Sequence, residues 1–148
     1  MRIASRFTIA VHIITAIEYF GSRQKVTSDL LALSVGVNPV IIRTVLSKLK
    51  AAGIVNTRKG SGDTTLAKPL EEITFYDVYK ALDCVGETGL FHFHEKPNIQ
   101  CPVGRNIHAA MDRRLERVQN SMEDELRKIT LAEIAREIEQ NIEAEGNG

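Results

Sequence analysis

His92 and His94 alternate along the chain, so on an extended segment their rings share one face. With Cys101 and His108 they supply the nitrogen and sulfur donors that a zinc-like ion accepts. No pair among them has familiar structural-zinc spacing, which favours solvated or packed loop histidines. Cys101 offers a second chemistry, because it precedes Pro102, a residue suited to the first position of a helix. A sulfur at a helix N-terminus has its pKa lowered and becomes a reactive thiolate, a candidate sensor; the alternative is a small buried hydrophobe. Cys84, on the apolar side of its segment near Leu82 and Val85, reads as core. Enzymatic signatures are missing: there is no Gly-rich phosphate loop, nucleophile elbow or paired-histidine metal helix, and the carboxylates fall mostly on helix surfaces. The expectation is a protein that is not an enzyme.

The elements that must position these residues follow from periodicity. Phe7, Ala10, Val11, Ile14 and Ile17 recur at helical spacing and predict a helix from about Ser5 to Phe20. Thr27-Ser28-Asp29 is a polar helix start, Leu30, Leu31 and Val35 supply an apolar face, and Gly36 stops the helix where a tight turn needs a left-handed residue. Asn38 then caps a second helix that starts at Pro39, with Ile42, Val45, Leu46 and Leu49 on its core face. Away from that face stand Val40, Thr44 and Ser47, flanked by Arg43 and Lys48. Short, polar or basic side chains on an apolar-backed helix suit a DNA major groove. The spacing therefore predicts a helix-turn-helix, with base contact from Arg43, Thr44 and Val40.

A wing follows it. Gly53 ends the helix, Ile54 to Lys59 reads as a strand, Gly60-Ser61-Gly62-Asp63 as a turn, and Thr64 to Lys68 as the return strand. Arg58 and Lys59 sit beside the turn, where they would touch phosphates or the minor groove. Charge is distributed accordingly. The chain is neutral overall, but residues 1–70 carry ten Lys and Arg against Glu18, Asp29 and Asp63, and residues 71–148 carry nine against sixteen acidic residues. The basic half coincides with the proposed reading head. A winged helix serving as a protein-protein module, with the same basic residues as a solvated face, is the alternative.

Thr74 and Asp77 form a near capping box for a short helix with Phe75, Val78 and Leu82 buried, and residues 86–104 read as loop. From about Arg105 to Lys128, Ile107, Met111, Leu115, Val118, Met122, Leu126 and Ile129 repeat with spacings of four, four and three. That pattern draws one apolar seam along a nearly straight rod of roughly 36 Å. The seam calls for a second copy, with an intramolecular helical hairpin as the alternative. Thr130-Leu131-Ala132-Glu133 opens a last helix with Leu131, Ile134 and Ile138 on its apolar face, and Glu143 to Gly148 reads as a frayed tail. The expected fold is mainly α with a small β-hairpin: residues 1–85 a winged helix-turn-helix domain, 86–104 a loop, and 105–142 the long and terminal helices for dimerisation. The 148 residues contain no 18-residue apolar span, Met1 to Ala4 lead straight into a helix without a cleavable signal, and two cysteines suit a reducing cytoplasm.

Several segments carry a resemblance: Met1-Arg2-Ile3, Val37-Asn38-Pro39, the run from Leu46 to Val55, the run from Leu66 to Thr74, and Asp77 to Leu82. Over nearly the whole chain they resemble the Rrf2 family of bacterial transcription regulators. The runs His94 to Gly104 and Val118 to Leu126 are similar to its YwnA-like subgroup. The resemblance implies a homodimer of winged-helix domains joined through the long helix, binding double-stranded DNA and usually acting as a repressor. It implies DNA contacts by Thr27, Ser28, Asn38, Pro39, Val40, Arg43, Thr44, Ser47, Lys48, Arg58 and Lys59. Dimer contacts would come from Ile107, Met111, Leu115, Val118, Met122 and Leu126. Relatives that sense iron-sulfur status hold a cluster with three loop cysteines and sometimes a histidine. This loop has one cysteine, and Gly104 stands where the histidine would be. The expectation is a regulator without a cluster or other cofactor. The wing departs too: it lacks the family's longer glycine run and aromatic residue, Lys59 stands for the wing arginine, and Asp63 is expected to repel phosphate.

Overall fold

The computed structural model describes residues 5–84, 86 and 89–146, so the readings of Met1 to Ala4 and of Val85 lie outside the described residues. Helix α1 (Arg6–Gly21) is followed by α2 (Ser28–Val35), α3 (Pro39–Ala51), strands β1 (Val55–Thr57) and β2 (Thr64–Leu66), and a short 3-10 turn at Leu70–Glu72. Helices α4 (Phe75–Ala81), α5 (Pro102–Lys128) and α6 (Leu131–Gly146) complete the order.

Helix α1 is the central strut because it packs against α2, α3, α4, α6 and β2. That demand on several faces explains why Ile13, absent from the predicted stripe, is as fully buried as Ala10 and Ile14, while Phe7 and Val11 pack half-buried at the margin. Burying each such isoleucine favours folding by about 1.5–3 kcal/mol. Phe7 meets Phe75 edge-on with ring centroids 5.3 Å apart, which seats α4 on α1.

The turn between α2 and α3 forms as its residues dictate. Thr27 caps α2 by accepting from the amide of Leu30, Gly36 takes φ of +80°, and Asn38 accepts from the amide of Val40 ahead of Pro39. The chain bends by 110° between α2 and α3. Ala32, Ile42, Val45, Leu46 and Leu49 meet in the core there.

The wing strands are shorter than predicted. Pairing runs antiparallel with Val55 opposite Leu66 and Thr57 opposite Thr64. Arg58 and Lys59 fall in the turn, because the amide of Arg58 donates to the carbonyl of Asp63 at 2.8 Å and closes the hairpin there. Lys68 lies beyond β2.

Helix α5 begins at Pro102 with Cys101 as its cap, three residues before the predicted start, so the loop ends at residue 101. The proline fixes the first helical φ, which periodicity could not register. Thr74 and Asp77 make a complete capping box for α4, and Thr130 and Glu133 exchange the same pair of bonds at α6. Helix α6 runs to Gly146, so residues 143–146 of the tail predicted to fray are helical, and Asn147 and Gly148 lie outside the described residues. It packs along α1 and the 3-10 turn of its own chain, with Leu131 buried. No residue of α5 is fully buried, although the helix has 27 residues. Among the described residues no single helix is long and apolar enough to cross a membrane.

Candidate nucleic-acid interface

The buried face of α3 leaves a coherent outer face. Val40 is 60% exposed, and Arg43, Thr44 and Ser47 are exposed beside it. The Thr44 hydroxyl donates to the carbonyl of Val40 at 3.0 Å, so toward a base edge it offers an acceptor and a methyl group. Asn38 spends its side-chain carbonyl on the amide of Val40 at 2.8 Å, which leaves its amide group to donate outward. Thr27 accepts from Leu30 through its hydroxyl oxygen and keeps the hydroxyl proton for a phosphate. Ser28 begins α2, where backbone amides point out of the helix end, whereas Pro39 begins α3 without an amide proton and the amides of Val40 and Ile41 already donate to Asn38.

Lys48 stands apart from this group. It is half-buried on the flank of α3, near enough to Cys84 to pull the thiol pKa down, as Arg6 also does. Burial outweighs both charges and raises the Cys84 thiol above its ordinary value.

Arg58 and Lys59 are exposed in the wing turn. Asp63 makes a contact that its position in the sequence does not disclose. Its carboxylate Oδ1 accepts from the amide of Val26 at 2.9 Å, and the amide of the next residue, Thr64, donates to the Val26 carbonyl at 2.9 Å. The carboxylate is therefore half-buried and engaged at the turn end of the wing ladder. Sequence reasoning missed this contact, and also Lys25, which is exposed and precedes Val26 in the chain. The basic pair Arg23 and Lys25 just before the α2 cap was the available signal. Leu33, also unremarked in sequence, is 82% exposed on the outer side of α2.

The loop before α5 is strapped along that helix. The amide of Leu90 donates to Gln119 at 2.8 Å, His108 Nε2 lies 2.8 Å from the carbonyl of His94, and Arg105 donates to the carbonyl of Ile99 at 3.0 Å. Gln119 in turn donates to Glu123, which also accepts from Tyr79; burial and the Glu123 charge push the Tyr79 phenol up to about 12. The loop brings His94 within 5.0 Å of the His108 ring, centroid to centroid, but both ring nitrogens of His108 are engaged, by Asp112 and by the His94 carbonyl. His92 is exposed. Among the described residues no three His, Cys, Asp or Glu side chains converge to hold a metal ion.

Cys101 caps the start of α5, as its position before Pro102 predicted, and it is exposed there, not the buried hydrophobe of the alternative reading. Its sulfur completes no capping hydrogen bond, yet the amides of Gly104 and Val103 face it and hold the thiol below its ordinary value.

On α5 the predicted seam divides. Leu115 lines a cleft of about 280 Å³ with Phe91 and Phe93 of the loop, while Val118 is 51% exposed and Ile107, Met111, Met122 and Leu126 are half-buried.

A helix-turn-helix with an outward polar and basic face, flanked by a two-stranded basic hairpin, defines a winged-helix DNA-binding protein. The family model Rrf2, described as an iron-dependent transcriptional regulator, matches residues 3–137. The chain belongs to the Rrf2 family of transcription regulators. It is 39% identical over 132 residues to YwnA of Bacillus subtilis (strain 168), which carries the name of a helix-turn-helix-type transcriptional regulator; the match covers 89% of this chain and 96% of YwnA. A crystal structure described as that of a DNA-binding protein superposes with a TM-score of 0.69 at 33% identity, covering 88% of this chain and 98% of the other. A Lactobacillus plantarum structure described as a transcriptional regulator shares the fold, with a TM-score of 0.76 at 23% identity and 97% of each chain covered.

The iron dependence in the family's description does not fit the donors this chain presents. Cys84 points into a half-buried site beside Arg6 and Lys48, whereas Cys101 is exposed at the α5 cap. At Gly104 a Cβ would lie 2.2 Å from the backbone oxygen of Asn98, so a ligating side chain there would require the loop to take a different path from the one seen in this chain. Two separated thiols do not make a cluster site.

Proposed function

We propose that this Rrf2-family regulator is a cytoplasmic homodimer that represses transcription by reading a two-fold DNA site, without an iron-sulfur cluster. The observation that carries the reading is the outer face of α3, where Val40, Arg43, Thr44 and Ser47 are exposed together beside Arg58 and Lys59 of the wing. Phosphate contacts from the basic half would supply salt-dependent affinity, and the α3 face would supply base discrimination. Dimerisation is supported by α5: a rod of about 40 Å with no fully buried residue and a half-covered apolar seam has surface that a second copy would bury. Two recognition helices would then be held at a fixed separation.

Three measurements test this. Binding to duplex DNA should fall steeply as salt rises, and genome-wide recovery of bound fragments should return sites with two-fold symmetry. Sedimentation should give a dimer at about micromolar concentration. Replacing Met111 and Val118 together by Asp would bury unpaired charge in the interface, giving a monomer that loses the two-fold site. Salt-independent binding, or a monomeric parent, contradicts the reading.

A further inference from the structure

The wing has a mechanical problem. A ladder of three residue pairs is too short to hold its own orientation in water, so something outside it must fix where Arg58 and Lys59 stand. At its lower end the attachment is clear: Val55 is fully buried, and the amide of Ala67 donates to the carbonyl of Ile54 at 2.9 Å. Closer to the tip, the tie is Asp63.

Every polar group of the Asp63 backbone is occupied within the wing. Its carbonyl accepts from Arg58 at 2.8 Å and its amide donates to the Ser61 hydroxyl at 3.3 Å. Its side chain reaches out of the wing to Val26 at 2.9 Å. Val26 is a firm post, because its side chain is wholly buried in the core and its carbonyl is taken by Thr64. The next residue, Thr27, is the cap of α2. The closing residue of the wing turn is thus tied by its side chain to the residue that precedes the α2 cap.

We propose that Asp63 is a positioning residue for DNA binding: its carboxylate locks the wing to the start of α2 so that Arg58 and Lys59 meet the phosphates already in place. This rests on the DNA-binding reading above. An ordered wing avoids the entropy that a swinging hairpin would lose on docking. The two possible roles of this carboxylate predict opposite signs. A carboxylate that repels phosphate weakens binding, so removing its charge tightens the complex. A carboxylate that anchors the wing strengthens binding, and its removal loosens the complex.

The test uses the full chain and a labelled mixed-sequence duplex of about 40 base pairs, long enough for two half-sites. Asp63→Ala should bind about tenfold more weakly at low salt, and the dependence of log K on log salt should flatten by about one to two as the Arg58 and Lys59 contacts are lost. Asp63→Asn keeps an acceptor for the Val26 amide and should stay within about threefold of the parent. In a chain already carrying Arg58→Ala and Lys59→Ala, adding Asp63→Ala should cost nothing further, since the anchor then has no cargo. An Asp63→Ala protein that binds like the parent or tighter overturns the proposal, as does an undiminished loss in the Arg58→Ala, Lys59→Ala background. Should Asp63→Ala melt below the assay temperature, Asp63→Asn decides alone: parent-like binding supports the anchor, and tighter binding overturns it. A parent that shows no salt-dependent duplex binding refutes the DNA-binding reading itself, whereas a binding parent with an indifferent Asp63 refutes only the anchor.

Discussion

The amide of Leu131 donates to the carbonyl of Ile73 at 2.8 Å, and on the other side of the bridge between Thr74 and Thr130 the amide of Phe75 donates to the carbonyl of Ile129 at 2.9 Å. The bend between α5 and α6 is thereby stitched to the segment that enters α4. Two capping boxes flank the stitch, one on each strand of it. Further up the same contact, Arg127 lies 3.9 Å from the Tyr76 ring centre and Tyr79 donates to Glu123. The bend at the C-terminal end of α5 is thus joined to the start of α4, while the loop is strapped along α5 from Arg105 to Gln119.

Leu131 should therefore be a stability residue for the whole chain. It is fully buried at the stitch, and Leu131→Ala should cost about 2–5 kcal/mol in denaturant unfolding. Thr130→Ala removes only the cap and should cost about 1 kcal/mol. Equal, negligible losses would mean that α6 unfolds independently of the core.

Local signals were legible in the sequence and distant ones were not. Thr74 with Asp77, Thr130 with Glu133, and Gly36 with Asn38 and Pro39 act within a few residues, so residue type and spacing alone disclose their chemistry. The Asp63 contact with Val26 spans 37 residues and depends on how the wing folds back. Polarity alone made Asp63 look like a hazard to phosphate. Tyr79 and Ile13 escaped the predicted core for a related reason: each is buried by a second neighbouring element, and single-face periodicity counts only one. Lys48, on the flank of α3, is half-buried, whereas Arg43, Thr44 and Ser47 are exposed.

That geometry separates Arg43 from Lys48. Arg43 is exposed on the outer face, so Arg43→Ala should weaken specific binding by about 1–3 kcal/mol and relax preference at one base position. Lys48→Ala should weaken specific and non-specific binding alike and by less, since its charge sits back from the groove. Competition binding against a library of duplexes measures both; two variants that bind and discriminate like the parent would remove α3 from the interface.

The thiols should differ in reactivity. Cys101 has a lowered pKa from the amides of Gly104 and Val103 and is exposed, whereas burial raises that of Cys84. Alkylation below neutral pH should modify Cys101 first, and Cys101→Ser should abolish the fast phase. If Cys101 senses oxidants, the same substitution should leave DNA affinity intact and erase any oxidant response. A fast phase that survives Cys101→Ser and disappears in Cys84→Ser would reverse the assignment.

His108 should make the loop's attachment to α5 depend on pH. One ring nitrogen lies 3.0 Å from Asp112 and the other 2.8 Å from the carbonyl of His94, and only the imidazolium carries a proton on both. The hydrogen bond to Asp112 is the main cause that raises its pKa above the ordinary value near 6.5, with the His94 carbonyl and the Asp112 charge adding to it against partial desolvation. A raised pKa in the folded state means that this contribution is fully present below the ordinary histidine range and is lost as pH rises through the raised value. Hydrogen exchange across residues 92–101, expressed as protection relative to the unfolded chain, should therefore decline over that window in the parent. His108→Phe should show low, pH-independent protection of the same segment, and Asp112→Asn should move the transition to lower pH. A His108 resonance that titrates below the ordinary value, or loop protection indifferent to all three conditions, would show that the histidine does not hold the strap.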